Sequence, residues 1–195
     1  MPYPAAHRAQ VRQRIVDSAR SLFNRDGFEG VSVAKIMARA GLTHGAFYKY
    51  FKGKADLYCE VLSCFFNDPE WRNRWEGVHV DLASPQAGPQ IVRAYLSRQH
   101  FENVENSCPM VALPSDVARS DDRVKAAFED SVRAMVRVLD REITSNRRRC
   151  ESTAMAVAAL CIGGMVLARS MRDQDFADRL REAAQKAALL LGGWA

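Results

Sequence analysis

The 195 residues lack the patterns that bring most chemistry with them. The five cysteines, at 59, 64, 108, 150 and 161, form no C-x-x-C pair, and no Cys/His spacing suits a zinc finger. An odd, scattered set points to a reducing compartment rather than a disulfide framework. The four histidines, at 7, 44, 79 and 100, make no H-x-x-x-H pair. A glycine-rich phosphate loop and a nucleophile elbow are also missing, so neither a metal, a cofactor nor an enzymatic activity is expected. His79-Val80-Asp81 is too short a coincidence to carry a catalytic reading. The opening MPYPAAHRAQ has no apolar h-region, so no signal peptide is expected. The longest run without a polar or charged residue, Ala154 to Ala168, is fifteen residues, short of the roughly twenty a membrane span needs. These absences predict a cytoplasmic protein that does not enter a membrane.

One further absence is local. From Glu29 to Asp56 there is no carboxylate between the two. Residues 1–54 carry a net +7 and the remainder −2, which makes the overall +5. A basic end on a near-neutral body suggests that the first part meets a polyanion.

Within that basic stretch, SVAKIMARAGLTHGAFYKYFKGK (32–54) reads as two short helices joined by a glycine turn. Ser32 suits a helix N-cap. Val33, Ile36, Met37 and Ala40 recur at helical spacing on one buried face. Gly41 can stop that helix in a left-handed conformation, and Leu42 can staple the turn to the core. Thr43 is a second N-cap, followed by Phe47, Tyr50 and Phe51 facing inward. Thr43, His44, Gly45, Tyr48 and Lys49, then Lys52 and Lys54, remain outward: hydroxyls, a phenol, an imidazole and cations. Phosphate oxygens take such donors, and a helix N-terminus adds its own amides. Gly45 costs about 1 kcal/mol against alanine in a helix interior, so a close approach should require it.

The segment from Gly41 to Leu57, with its G-L-T turn, its Y-K-Y-F run and the K-A-D-L that follows, resembles the DNA-binding signature of the TetR/AcrR family of bacterial transcriptional regulators. The likeness runs from about Ala9 to Leu62. It implies an all-α fold of about nine helices: a three-helix helix-turn-helix domain over 1–54 and a helical effector-binding and dimerisation domain over 55–195. It also implies that Ser32, Thr43, Tyr48, Tyr50 and Lys54 hold phosphates, while His44, Gly45, Ala46 and Lys49 face base edges or the adjoining backbone. The reading helix has no Arg, Asn or Gln, the usual bidentate readers. Specificity is therefore expected to lean on backbone fit, DNA shape and a few weak contacts.

Along the chain, Met1 to about His7 reads as a loose arm because Pro2 and Pro4 discourage helix. Arg8, Arg12 and Arg14 follow, either solvated or tracking phosphates. Ile15, Ala19, Leu22 and Phe23 mark a first helix, ended at Asn24-Arg25-Asp26-Gly27. Leu57, Val61, Leu62 and Phe65 mark the helix after the reading pair. Asn67-Asp68-Pro69 is a stop before a loop-rich stretch. Helices resume near Gln90, with Ile91, Tyr95 and Leu96 on one face. Cys108-Pro109 looks like an N-cap and its N1 proline, with a break near Pro114. A helix capped by Ser120 or Asp121 then runs through Val124, Phe128, Val132, Met135, Leu139 and Ile143 toward Arg147-Arg148-Arg149.

The resemblance places an effector pocket among the middle helices, where the aromatic and methionine candidates are Phe65, Phe66, Trp71, Trp75, Tyr95, Phe101, Met110, Phe128 and Met135. Cys108, at a helix start, is a candidate redox or electrophile sensor. Ala154 to Ala168 is apolar all round and so expected to be buried on every side. The final helix carries an apolar face. A dimer through these last two helices, as the resemblance implies, would use Leu160, Gly163, Gly164, Leu167, Phe176, Leu180, Ala184, Ala187 and Leu191. The expected partners are a palindromic double-stranded DNA operator, a second copy of the chain and a small-molecule effector, with the protein on the bacterial nucleoid.

Overall fold

A computed structural model describes residues 5–64, 79–143 and 151–194. Every regular element among them is helical: α1 (Ala5–Asp26), α2 (Val33–Arg39), the 3₁₀ helix η1 (His44–Lys49), α3 (Lys54–Cys64), α4 (Ala87–Tyr95), α5 (Arg98–Glu102), α6 (Pro109–Ala112), α7 (Pro114–Ala118), α8 (Asp122–Glu142), α9 (Glu151–Arg169) and α10 (Gln174–Leu191). The all-α class is as expected. Phe65, Phe66, Trp71, Trp75, Asn67-Asp68-Pro69, Pro2, Pro4 and Arg147-Arg148-Arg149 lie outside the described residues.

Local chemistry explains most boundaries. Gly27, at φ +72°, takes the left-handed turn after α1, and its amide donates to the Phe23 carbonyl at 2.9 Å. Asp121 Oδ1 accepts from the Val124 amide at 2.9 Å, so it caps α8. Cys108 and Pro109 occupy the N-cap and N1 positions of α6, and Pro114 opens α7. Two starts come earlier than the sequence reading placed them. Helix α1 already includes His7, and α4 begins at Ala87, since Pro89 falls in its first turn, where a missing amide costs no intrahelical bond.

The chain packs as two compact units, and packing draws the line away from the 54/55 boundary read from the sequence. The first unit holds the described residues through Cys64 together with Val104–Phe128. Its core joins Ile15, Ala19, Leu22 and Phe23 of α1 to Ile36 and Met37 of α2, Phe47 of η1 and Leu57, Tyr58, Val61 and Leu62 of α3. Leu113, Val117 and Val124 complete it. Later sequence is thus structurally part of the same unit as the reading helices. Phe28 packs 4.5 Å from the Tyr58 ring and 5.7 Å from that of Phe23, fixing the α1–α2 connection.

In the second unit, which holds the described residues from 79 to Asn103 and from 129 to 194, α9 lies against α10. A Cβ on Gly164 would meet the Ala184 Cβ at 2.6 Å and Leu96 Cδ2 at 3.3 Å, so this glycine permits the close approach. Among the described residues, nothing outside α9 lies within 4 Å of a Cβ on Gly163. Arg169 Nε donates to the Phe101 carbonyl at 3.2 Å, and Arg181 donates to that of Leu96; two arginines thus cap helix-end carbonyls. Trp194 sits on Gly88, with its Nε1 donating to the Glu142 carbonyl at 3.2 Å.

Helix α9 corrects one expectation. Ala154, Val157, Ala158, Cys161, Gly164, Met165 and Ala168 are buried, but Met155 is 48% and Leu167 52% exposed, so within one protomer it is covered on one face only. At 19 residues it is also long and apolar enough, by length and composition, to cross a membrane.

Candidate nucleic-acid interface

The turn between the reading helices is built as its residues dictate. Ser32 Oγ accepts from the Lys35 amide at 3.2 Å and caps α2. Gly41 takes φ +66°; its amide donates to the Ala38 carbonyl at 3.0 Å, and that of Leu42 to the Met37 carbonyl at 2.9 Å. This crossed pair closes the carbonyl end of α2 in a Schellman motif. Leu42 packs on the core as expected.

The reading element itself differs from the expected α-helix. Residues His44–Lys49 form a 3₁₀ helix, in which side chains three apart eclipse. Thr43 is extended and makes no side-chain cap bond. Phe47 is fully buried and packs on Phe51 at 5.6 Å between ring centroids, anchoring the element. Thr43, His44, Gly45 and Lys49 are exposed, Tyr48 is 62% exposed, and Ala46 and Tyr50 are half-buried. The His44 and Tyr48 rings meet edge-on at 5.9 Å. Among the described residues, nothing beyond its own turn lies within 4 Å of a Cβ on Gly45, so their packing does not require this glycine.

Lys54, expected to hold a phosphate, also makes contacts inside the protein. Its Nζ donates to the carbonyls of Phe28 at 2.9 Å and Val31 at 3.2 Å and sits 4.1 Å above the Phe28 ring. The ammonium braces the α1–α2 connection against α3.

Nearby carboxylates are neutralised by close cations. Asp26 accepts from Arg25 at 2.9 Å and from Lys35 at 2.5 Å, and these hydrogen bonds, Arg25 first, hold its carboxyl well below the usual range. Glu105 accepts from Ser21 at 2.7 Å, Arg39 at 2.6 Å and Arg25 at 2.9 Å, and its carboxyl is lowered by the Ser21 and Arg39 bonds. Asn24 Nδ2 donates to the carbonyls of Ser107 at 2.8 Å and Glu105 at 3.2 Å. Glu105 therefore ties α1 and α2 to the segment before α6. Sequence reasoning missed it, since a lone glutamate some eighty residues away carries no pattern. It also missed the roles of Arg8, which donates to the Lys49 carbonyl, and Arg12, which lies over Phe51.

The other expected sites are less gathered. Tyr95, Phe101, Met110 and Met135 are buried, and Phe128 packs on the first unit's core. A groove of about 440 Å³ in the second unit is lined by other residues, among them Val132, Val136, Arg133 and Met155. Cys108 is fully buried, with no side-chain cap bond at α6. Of the expected dimer residues, Leu167, Phe176 (45% exposed) and Leu191 (47%) are exposed, while Leu160, Gly163, Leu180 and Ala187 are half-buried. Gly164 and Ala184 instead pack on each other inside the protomer.

Residues 15–61 match the family model for bacterial regulatory proteins of the tetR family. The HTH-type transcriptional regulator AcrR of Shigella flexneri is 42% identical over 52 residues, 27% of this chain and 24% of AcrR, so the chain spans about a quarter of that relative's length. The HTH-type transcriptional regulator TtgW of Pseudomonas putida is 32% identical over 94 residues, 44% of this chain and 70% of TtgW. A TetR-family regulator from Cytophaga hutchinsonii shares the fold, with a TM-score of 0.71 at 16% identity over 99% of this chain and 98% of that one. A glycine-turned helix pair carried on a third helix, with these matches laid over it, leads to one conclusion: the chain belongs to the TetR family of bacterial transcriptional regulators, and its helix-turn-helix is a DNA-binding domain.

Proposed function

We propose that the protein is a repressor that binds a palindromic operator as a homodimer in the bacterial cytoplasm, on the nucleoid, and leaves it when a small molecule binds the body. The observation that carries this reading is the exposed, carboxylate-free surface of Thr43, His44, Gly45, Tyr48 and Lys49 on an element anchored by the buried Phe47. Ser32, Thr43, Tyr48 and Tyr50 hold phosphates, while His44, Gly45, Ala46 and Lys49 meet base edges. Lys54 acts as a brace. Two copies pair through α9 and α10, whose outward stripes include Leu167 (52% exposed) and Leu190 (71%). Pairing sets two reading elements about 34–36 Å apart, one DNA turn, or a multiple of it. The effector acts by preferring the conformation that does not bind DNA. Release by oxidation at Cys108 gains no support from a thiol this deeply buried.

Selection of bound sites from random duplex DNA tests the reading. The expected product is a two-fold symmetric site, and a ligand screen then finds compounds that release it. His44→Ala should relax one base position while leaving the salt dependence unchanged. Recovery of unsymmetrical or random sequence would refute the operator assignment.

A further inference from the structure

The reading element is short and held by 3₁₀ bonds, whose geometry is poorer than that of an α-helix. Its direction therefore depends on what grips its ends. The front end is set by the Gly41–Leu42 turn. At the far end, the Tyr50 and Phe51 amides both return to the Phe47 carbonyl, at 2.9 and 3.1 Å. The Lys49 carbonyl, the last of the element, accepts from Arg8 of α1 at 3.3 Å across forty-one positions of sequence. A cation at this point also complements the negative end of the helix. One turn along α1, the Arg12 guanidinium lies 4.4 Å above the Phe51 ring and pairs with Glu60 of α3. Phe51 stacks on Phe47, the buried anchor of the element. Two arginines on one face of α1 thus hold the corner at 49–51, one through a carbonyl and the other through a ring.

We propose that Arg8 is a positioning residue for base reading. It sets the angle at which His44 to Lys49 enter the groove by fixing the Lys49 carbonyl, with Arg12 holding the adjoining ring, and it is not a phosphate contact in its own right. This rests on the DNA-binding reading above. An arginine bound to a phosphate and an arginine bound to the reading element have different signatures. A phosphate contact supports every duplex equally and adds about one unit to the salt slope. A brace supports the matched duplex alone, because only base contacts depend on the element's angle.

The test compares wild type, Arg8→Ala and Arg8→Lys as full-length proteins. Each binds the duplex selected by wild type and a scrambled duplex of equal length, over a range of salt. Arg8→Ala should lose about tenfold on the selected duplex. It should change little on the scrambled one and keep the wild-type salt slope. Repeated site selection should return a more degenerate half-site. Arg8→Lys, which can still donate to the carbonyl, should recover most of the discrimination. Arg8 is exposed, so circular dichroism should show the same helix content in all three. Equal losses on both duplexes with a reduced slope would make Arg8 a phosphate contact and overturn the proposal, as would unchanged discrimination. If wild type itself prefers no duplex, the DNA reading fails first and takes this one with it.

Discussion

His100 is fully buried, with Nδ1 2.6 Å from the Tyr95 carbonyl, so that nitrogen carries the proton and donates it. Burial, with the Arg169 charge adding to it, pushes the imidazole from 6.5 down to about 3. Between those values the unfolded chain binds a proton that the folded one refuses. The contribution is therefore fully present above about pH 6.5 and is lost progressively as pH falls toward 3. Urea denaturation at pH 7 and pH 5 should differ by about 2 kcal/mol from this residue, and His100→Gln should flatten that difference. Equal slopes in the two proteins would contradict the buried neutral histidine. Nothing in the sequence marked His100 as buried: it stands between Gln99 and Phe101 in a short stretch of mixed character, and only its surroundings in space decide its burial.

At the scale of elements, the glycines show what spacing can and cannot say. The Gly163-Gly164 pair announces that a helix approaches α9, but which glycine faces it is a matter of register between two helices. Gly164 faces Ala184 and Leu96; Gly163 faces open space. Gly164→Ala should lower stability by about 1–3 kcal/mol, since the obstructing Ala184 Cβ sits on a helix backbone and cannot rotate away. Thermal denaturation beside wild type measures this, and an unchanged or raised midpoint would refute the close contact. The Ser32 cap and the cap of α8, one of the two candidates Ser120 and Asp121, were legible because each is a side chain acting on backbone three residues on, and the Gly41 turn because only a residue without a side chain takes its left-handed conformation at no cost. The 3₁₀ form of η1 was not, since the choice between i+3 and i+4 bonding rests on how Phe47 seats in a core drawn from α1, α2 and α3.

For the whole molecule, the apolar face of α10 is the clearest case of surface without a partner in one chain. Ala177, Ala184 and Ala188 are buried, whereas Phe176, Leu190 and Leu191 are exposed. Large exposed apolar stripes on two adjoining helices favour association. Gly163→Leu adds a side chain at a position where no described residue outside α9 lies within 4 Å of a Cβ, and should obstruct close pairing. Sedimentation should then report a monomer and operator affinity should collapse, with helix content retained by circular dichroism. A mutant that still dimerises would move the pairing face elsewhere.

The sequence by itself determined the glycine turn, the Ser32 and Asp121 caps and the cationic stretch free of carboxylates, all of which follow from residues acting over a few positions, and its resemblance to a known family implied the helical class. Only the tertiary structure decided that Glu105 grips α1 and α2, that Lys54 turns inward to two carbonyls, that Arg8 holds the end of the reading element and that one glycine of a pair is packed. Those outcomes depend on which groups meet in space across tens of residues, and a charge or a missing side chain carries no record of its distant partner.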